Sequence, residues 1–378
     1  MAKKKVIIVG PAHPLRGGLA TYNERLAQAF QDEGDDVELV TFTLQYPDFL
    51  FPGKTQFSGE PKPEGLRIKP LINSVNPLSW LRVGMYLYRQ RADIVIFRFW
   101  LPFMGPAFGT IARIVKRNKH TRIVALTDNV IPHEQRPGDR PFTQYFLSAC
   151  HGFVTMSRAV LGDLARYQPA KPAVYQPHPL YDNYGEATTK AEARQALNLA
   201  EQGKYVLFFG FIRAYKGLDL LLEAFSDQRI KALGLKLVIA GEFYEDAIPY
   251  ENIIAKHQLE PFLVRATGFI PNSKVRDYFC AADVVVQPYK SATQSGVSQI
   301  AYHFNKPMIV TDVGGLAELV PDEKVGYVVQ PDAASLANAI VRYFDEDNEE
   351  MFLRNIELQK QKFSWHAMTQ AVRQAALK

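Results

Sequence analysis

Residues 288–319, PYKSATQSGVSQIAYHFNKPMIVTDVGGLAEL, read as a polar turn, a helix start, a buried strand and a second glycine turn. The turn at Thr293, Gln294, Ser295 and Gly296 stands where a helix opening near Val297 exposes its first N–H groups. Such a helix start, dressed with small hydroxyl residues, binds phosphate-type anions through geometry and dipole alone. The strand MIV at 308–310 leads into a second polar turn at 311–315. Two anion-accepting turns so close together suggest a nucleotide site.

Strand-then-helix is the repeating unit of a doubly wound sheet, and the chain on either side repeats it. In the second half the strand candidates are KYVLFFG (204–210), LKLVIAG (235–241), LVRATG (263–268), DVVVQP (283–288), PMIVT (307–311) and GYVVQ (326–330). Helical patterns fall at 217–225, 249–258 and 272–280. In the first half they are KKVIIV (4–9), DVELVTF (36–42), DIVIF (93–97), RIVAL (122–126), GFVTM (152–156) and AVYQ (173–176). Helical patterns there cover 18–33, 78–91, 105–117 and 157–167. Short apolar strands spaced by helices predict parallel sheets covered on both faces.

A chain of 378 residues is too long for one ordinary core, so two domains are expected. The boundaries predicted are 1–180 and 181–355, with a terminal helical segment at 356–378. Residues 177–203, with prolines, turn residues and one polar helix from about Lys190, read as the connection between the domains. Two such sheets are expected to face a cleft at the carboxyl ends of their strands. Residues 44–65, rich in Pro, Gly, Phe and Lys, read as a long insertion of the lid or acceptor-loop kind, or as disorder.

Hydrophobic content of 47% and charged content of 22% are those of a globular protein. With Cys150 and Cys280 the only cysteines, neither a disulfide framework nor a cysteine-ligated zinc site is available, and a reducing cytoplasm fits. The start MAKKKVIIVG is basic and then apolar, but VIIV is too short for the core of a signal peptide and reads as a first strand. No segment approaches the roughly 20 apolar residues of a membrane span. Charge is uneven: residues 1–180 hold 23 Lys+Arg against 14 Asp+Glu, and the remainder 21 against 25. A basic first half suggests an anionic partner such as phosphorylated lipid, a membrane surface or nucleic acid; an ordinary solvated surface explains it equally well. Within it Arg113, Lys116, Arg117, Lys119 and Arg122 cluster, with Ile111, Ile114 and Val115 interleaved either toward lipid or toward the core.

Three loops after strands could carry chemistry. In GPAHPLRGGLATYNERL (10–26), Gly17 and Gly18 open a helix and let backbone approach a ligand, though the spacing matches neither the dinucleotide fingerprint nor the P-loop. In FFGFIRAYKGLDLLLEAF (208–225), Arg213 and Lys216 are two cations placed to neutralise a diphosphate and a leaving nucleotide. In LTDNVIPHEQRPGDR (126–140), Asp128, Asn129, His133 and Glu134 form a dense polar set without the second histidine of a zinc protease.

These blocks, in this order, resemble family 4 of the retaining, nucleotide-sugar-dependent glycosyltransferases with the GT-B fold. The resemblance spans nearly the whole chain. It is carried by Gly17–Gly18, by the FxG…KG block at 208–217, by TGFIPNSKVRDYFCAADVVVQP (267–288), by NKPMIVTDVGGLAELV (305–320) and by FSWHAM (363–368). It implies an α/β fold of two Rossmann-like domains, with the FSW block opening a helix that returns to the first domain. It implies a catalytic set of Asp128, His133, Arg213 and Lys216. It also implies a donor-binding set of Gly17, Gly18, Gly210, Phe269, Ile270, Thr293, Gln294, Ser295, Gly296 and Gln299. The donor would be a UDP- or GDP-sugar, with no metal required and no cofactor. The acceptor would be a glycan or a lipid-linked molecule, with no nucleic acid involved. The protein would be cytoplasmic, or peripheral at the inner face of the cytoplasmic membrane.

The sequence departs from the family pattern at three places. Two glutamates eight positions apart are common there, yet no acidic residue lies between Asp283 and Asp312; ungapped matching puts Ala292 or Thr293, and Gln299 or Ile300, at their positions. The arginine that follows the FxG glycine falls on Phe211, with Arg213 two residues on. A histidine of the first-domain pattern falls on Asp128, while Pro132, His133 and Glu134 keep the PHE triplet. The competing readings are therefore a transferase and a nucleotide-sugar-binding protein of the same fold with weakened catalysis. A nicotinamide-dependent dehydrogenase lacks both the fingerprint loop and the acidic ribose partner.

Overall fold

The computed structural model describes residues 3–47, 55–131, 136–168, 170–292, 295–346 and 348–377. The chain divides into two compact units, Met1–Pro179 with Ser364–Lys378, and Leu180–Phe363. The chain thus leaves the first unit once and re-enters it at Ser364, and residues 180–203 belong to the second unit.

In the first unit the strands are β1 (Lys5–Val9), β2 (Asp36–Leu44), β3 (Ile68–Asn73), β4 (Ile94–Phe99), β5 (Arg122–Thr127), β6 (Gly152–Thr155) and β7 (Ala173–Tyr175). Among the described residues they form one sheet in the order β3-β2-β1-β4-β5-β6-β7, every pair parallel. Its helices are α1 (Gly18–Asp32), α2 (Pro77–Gln90), α3 (Gly105–Lys116), α4 (Asp139–Leu147) and α5 (Arg158–Tyr167). In the second unit come α6 (Lys190–Ala196), β8 (Tyr205–Phe209), α7 (Leu218–Ala224), α8 (Gln228–Ala232), β9 (Lys236–Ala240), α9 (Ile248–His257), β10 (Leu263–Ala266) and α10 (Asn272–Ala281). There follow β11 (Val284–Gln287), α11 (Gly296–His303), β12 (Met308–Thr311), α12 (Leu316–Leu319), β13 (Gly326–Val329), α13 (Ala333–Asp345) and α14 (Glu349–Gln359); α15 (Trp365–Leu377) then returns to the first unit. The second sheet is also fully parallel, in the order β10-β9-β8-β11-β12-β13. Both sheets reverse direction beside their first strand, and ligands of such sheets bind at the carboxyl ends near that reversal.

The central strands are apolar throughout because both faces are covered: IVIFRF of β4 and VVVQ of β11 are buried at every position. Helix ends are written in the sequence. Asn76 caps α2, its side chain accepting from Leu78 N at 3.0 Å with Pro77 next in line, and Thr189 and Glu192 form a reciprocal capping box on α6. On α15, Arg373 reaches Glu33 at 2.8 Å and Asp35 at 2.6 Å, and Trp365 lies 5.0 Å from the Tyr22 ring. A side chain on Gly152 of β6 would overlap the Ala375 carbonyl, so the returning helix lies directly on the sheet.

Of the long insertion, residues 48–54 are outside the described residues. Residues 55–60 pack on the first glycine loop: Arg16 N donates to Gln56 O at 3.0 Å, Ser58 N to Pro14 O at 2.8 Å, and Leu15 bridges to Phe57. The aliphatics interleaved with the α3 cations face inward. Ile111 and Val115 are fully buried, and Ile114 packs on Gly84 of α2, where a methyl group would come within 2.6 Å of its Cδ1.

Candidate functional site

In the second unit the two turns that open and close residues 288–319 are one construction. A side chain on Gly314, whose φ is 53°, would overlap the Ala292 carbonyl oxygen, so the second turn lies directly against the first. Gln287 at the end of β11 ties the turn to α11. Ser295 Oγ donates to Gln287 Oε1 at 2.6 Å, and the Ser298 hydroxyl lies 3.0 Å from the Gln287 amide nitrogen. Thr311 at the end of β12 donates to Tyr289 O at 2.5 Å.

The Ser295 hydroxyl is therefore spent on the scaffold, and the residue is left to act through its backbone. It occupies the position before α11 without making a side-chain cap, and the first turn of α11 carries no acidic residue. Uncapped N–H groups at a helix start favour an anion. Gly296 permits the close approach of Tyr181, whose ring atom a methyl would meet at 2.8 Å. Thr293 and Gln294 lie outside the described residues.

The FxG…KG block stands beside this turn. Gly210 has a φ of 105°, and a methyl on it would come 2.8 Å from Lys216 Nζ and 3.8 Å from Val297 of α11. Gly217 in turn lies against the Pro288 carbonyl, which a side chain there would overlap. Lys216 Nζ is thus held over Gly210, near the start of α11 and 5.6 Å from the Tyr289 ring. Among the described residues no carboxylate pairs with it. Burial, with the Arg213 charge adding, pulls its ammonium down to about 8. Neighbouring Lys290 is by contrast engaged by Asp219 at 2.6 Å.

Arg213 is exposed, with its guanidinium 5.3 Å from the centre of the Tyr244 ring. Phe211, which stands where the family has an arginine, stacks on Tyr244 at 4.2 Å and lies 6.4 Å from Phe269 at a shallow angle. Phe211, Tyr244 and Phe269 thus form an aromatic row, and Arg213 borders it. Phe269 and Ile270 are half-buried at the β10 end of this row.

Gln299 has no exposure to solvent, and among the described residues neither atom of its amide has a hydrogen-bond partner. A buried amide left unpaired costs free energy that an apolar side chain of similar size does not. At one of the two positions, Gln299 or Ile300, that ungapped matching gives for the second glutamate of the pattern, the chain thus holds a neutral group at a cost to stability. Gln299→Leu is expected to fold as stably as the wild type or more so, and to weaken binding of a nucleotide sugar by about tenfold. Melting temperature and calorimetric affinity, measured on the same sample, check the pair of outcomes.

In the first unit, Asp128, expected in the catalytic set, is ion-paired with Arg98. Both its oxygens accept from Arg98 of β4, Nε at 2.6 Å and Nη2 at 2.5 Å, and both residues are buried. The Arg98 guanidinium in turn lies 3.9 Å from the Tyr22 ring of α1, and the Tyr22 ring meets His178 edge-on at 4.8 Å. Burial, then the Arg98 charge, pulls the His178 imidazole down to about 3 and keeps it neutral. The charge of Asp128 is thereby answered by Arg98. Gly17 precedes α1 with a φ of 103°, and Gly18 is exposed as its first residue. His133, with Pro132 and Glu134, lies outside the described residues.

Sequence reading passed over Glu24 in this loop. Its carboxylate accepts from His13 N at 2.7 Å; burial, and secondarily the charge of Glu60, pushes it up to about 7. The one available signal was its place six residues into the helix that follows the glycine pair.

Two family descriptions match the chain without overlapping. Glycosyltransferase Family 4 matches residues 16–179, and Glycosyl transferases group 1 matches residues 203–346. Among curated proteins, a lipopolysaccharide 1,2-N-acetylglucosaminetransferase of Salmonella typhimurium is 28% identical over 189 residues, 47% of this chain and 49% of that protein. The chain spans about half the length, or less, of the curated relatives it matches most strongly. Among solved structures, sucrose-phosphate synthase from Thermosynechococcus elongatus superposes with a TM-score of 0.75 at 19% identity, over 98% of this chain and 99% of that one. HepE of Anabaena in complex with UDP gives 0.71 at 14%, over 98% of each chain. At such identities the likeness is one of fold, the GT-B fold of two Rossmann-like domains. With a glycosyltransferase description on each half of the chain and a GT-B fold made of its two units, the chain belongs to the group 1 glycosyltransferases.

Proposed function

We propose that the protein moves a sugar, with retention, from a nucleoside-diphosphate sugar to a glycan or lipid-linked acceptor in the synthesis of a cell-surface polysaccharide or glycolipid. The observation that carries this is Lys216, an ammonium without a carboxylate partner among the described residues, held beside Gly210 and the uncapped start of α11. Those groups suit a diphosphate whose negative charge grows as the glycosyl C1–O bond breaks. The sugar passes through an oxocarbenium-like state, the acceptor oxygen bonds to C1, and the acceptor proton leaves with the departing phosphate. Phe269 and Ile270 hold the base, and Thr293 to Gly296 the sugar and diphosphate. Gly17, Gly18, His133 and Arg213 are assigned to the donor and to catalysis by resemblance.

The solved complexes of HepE with UDP and with UDP-glucose favour a uridine nucleotide over a guanosine one as the first donor to test. Among the described residues no helix is long and apolar enough to cross a membrane. The basic first half favours a cytoplasmic protein resting on the anionic inner face of the membrane. The absence of any acidic residue between Asp283 and Asp312 favours the second reading, a nucleotide-sugar-binding protein with weakened catalysis.

Thermal shift against UDP, GDP and their sugars tests the donor class, since a ligand of the folded state alone raises the melting temperature. A rise with one nucleotide series is expected; no rise with any at millimolar concentration overturns the reading. Release of free nucleoside diphosphate then separates transferase from binding protein. Donor affinity should also depend on pH. Lys216 carries its proton below about 8, so binding is expected to be constant there and to weaken by up to about tenfold per pH unit above it. The same shift makes the folded protein gain stability as pH rises from about 8 toward the ordinary lysine range, because the unfolded chain keeps the proton longer.

A further inference from the structure

The outer face of the first unit carries a feature that donor chemistry does not use. On α2, Trp80, Val83, Gly84 and Leu87 face the core, while Leu78, Leu81 and Met85 form a second apolar stripe at 61%, 49% and 42% exposure. Positions 78, 81 and 85 recur at helical spacing, and Arg82 and Arg89 are exposed on the same side. A solvated helix face of a globular protein carries polar and acidic residues there.

Neither α2 nor α3, which pack side by side, contains a single Asp or Glu. From Leu66 to Thr127 the sequence holds eleven Lys and Arg against one carboxylate, Asp93. Asp93 is itself engaged by the Lys5 backbone N–H at 2.7 Å and by His120 at 3.3 Å. Lys116, Arg117 and Lys119 at the end of α3 are all exposed.

We propose that α2, through Leu78, Leu81 and Met85 flanked by Arg82 and Arg89, is the element that inserts into an anionic phospholipid bilayer. The cations at the end of α3 lie on the headgroups. The proposal deepens the peripheral-membrane part of the functional reading and rests on it. It moves the apolar contact from α3, whose Ile111 and Val115 are buried, to α2. The bilayer is chosen over a second copy of the chain by charge. Two such faces would bring like charges together, whereas lipid phosphates complement them and lipid tails accept the stripe.

Co-sedimentation with phosphatidylcholine vesicles, with and without phosphatidylglycerol, tests it using the full chain. The wild type is expected to bind only the phosphatidylglycerol vesicles, and less as salt rises. Leu78→Gln/Leu81→Gln/Met85→Gln is expected to bind at least roughly tenfold more weakly with an unchanged melting temperature. Arg82→Glu/Arg89→Glu is expected to lose binding chiefly at low salt. No binding by the wild type overturns the membrane reading itself. Full binding by the Gln variant overturns the α2 surface alone. A concentration-dependent dimer in light scattering that the Gln variant abolishes assigns the stripe to self-association and overturns the bilayer. The donor thermal shift is unaffected in every case, so failure here is distinct from failure of the transferase reading.

Discussion

Lys216→Met is expected to lower kcat/KM for the nucleotide-sugar donor by roughly 100- to 1,000-fold while leaving the protein as stable as the wild type or more so. The two halves of this result have one cause. Lys216 is half-buried without a carboxylate among the described residues, and lost hydration, with the Arg213 charge adding, pulls its ammonium down to about 8. A cation held in that condition destabilises the empty protein and becomes favourable only when an anion arrives. Met keeps much of the volume and removes the charge, so stability is spared and the developing diphosphate charge loses its stabilising partner. Steady-state kinetics with a urea melt on the same preparation measures both. A parallel fall in activity and stability would mean that Lys216 serves the fold instead. Lys216→Arg should recover only part of the rate, since a planar guanidinium does not reproduce the compact ammonium that stands over Gly210.

Asp128→Ala is expected to cost about 3–5 kcal/mol of folding stability, the penalty for leaving a buried charge without its partner. Arg98 is 2% exposed and gives two hydrogen bonds to that one carboxylate. The Arg98 guanidinium, which would lose both of those hydrogen bonds, lies 3.9 Å from the Tyr22 ring. Adding Arg98→Met to Asp128→Ala should return a large part of the loss, because an apolar pair of similar volume carries no desolvation cost. Equilibrium unfolding of the two single variants and the double variant measures the coupling. If Asp128→Ala kept full stability and lost only turnover, the carboxylate would belong to the chemistry and not to the fold.

The parallel strands and their glycine-terminated loops were legible because burial on both faces leaves an uninterrupted apolar signature. VIIV, LVIAG and MIVT can be read by eye, and the turns that follow them need residues whose chemistry is conspicuous. β3 was not legible. IKPLIN carries a proline and is buried only at Ile72, its other positions exposed or half-buried as on an edge strand, so it has no apolar run. α4 was hidden by Pro141 near its start, which suits a first helical turn but reads as a break. Asp128 was found, but its partner lies thirty positions earlier on a neighbouring strand, and nothing local in IVIFRF says where Arg98 points. The unpaired state of Gln299 and Lys216 was equally out of reach, since it is a property of everything around them. Motif reading named both residues. Only packing shows that one is neutral, enclosed and unsatisfied, and that the other is a cation waiting for an anion.

The return of the chain to its first unit at Ser364 bears on how the protein is made. Leu180–Phe363 is continuous, so it can complete its core as soon as it has emerged from the ribosome. The first unit is synthesised earlier but cannot finish, because α15 contributes Met368, Val372 and Ala375 to its packing and Arg373 to Glu33 and Asp35. Until α15 has emerged, the α1 side of that sheet lacks its cover. The half made first is therefore the half that must wait, and a chain stalled or clipped before Trp365 would carry a finished second unit beside an open first one.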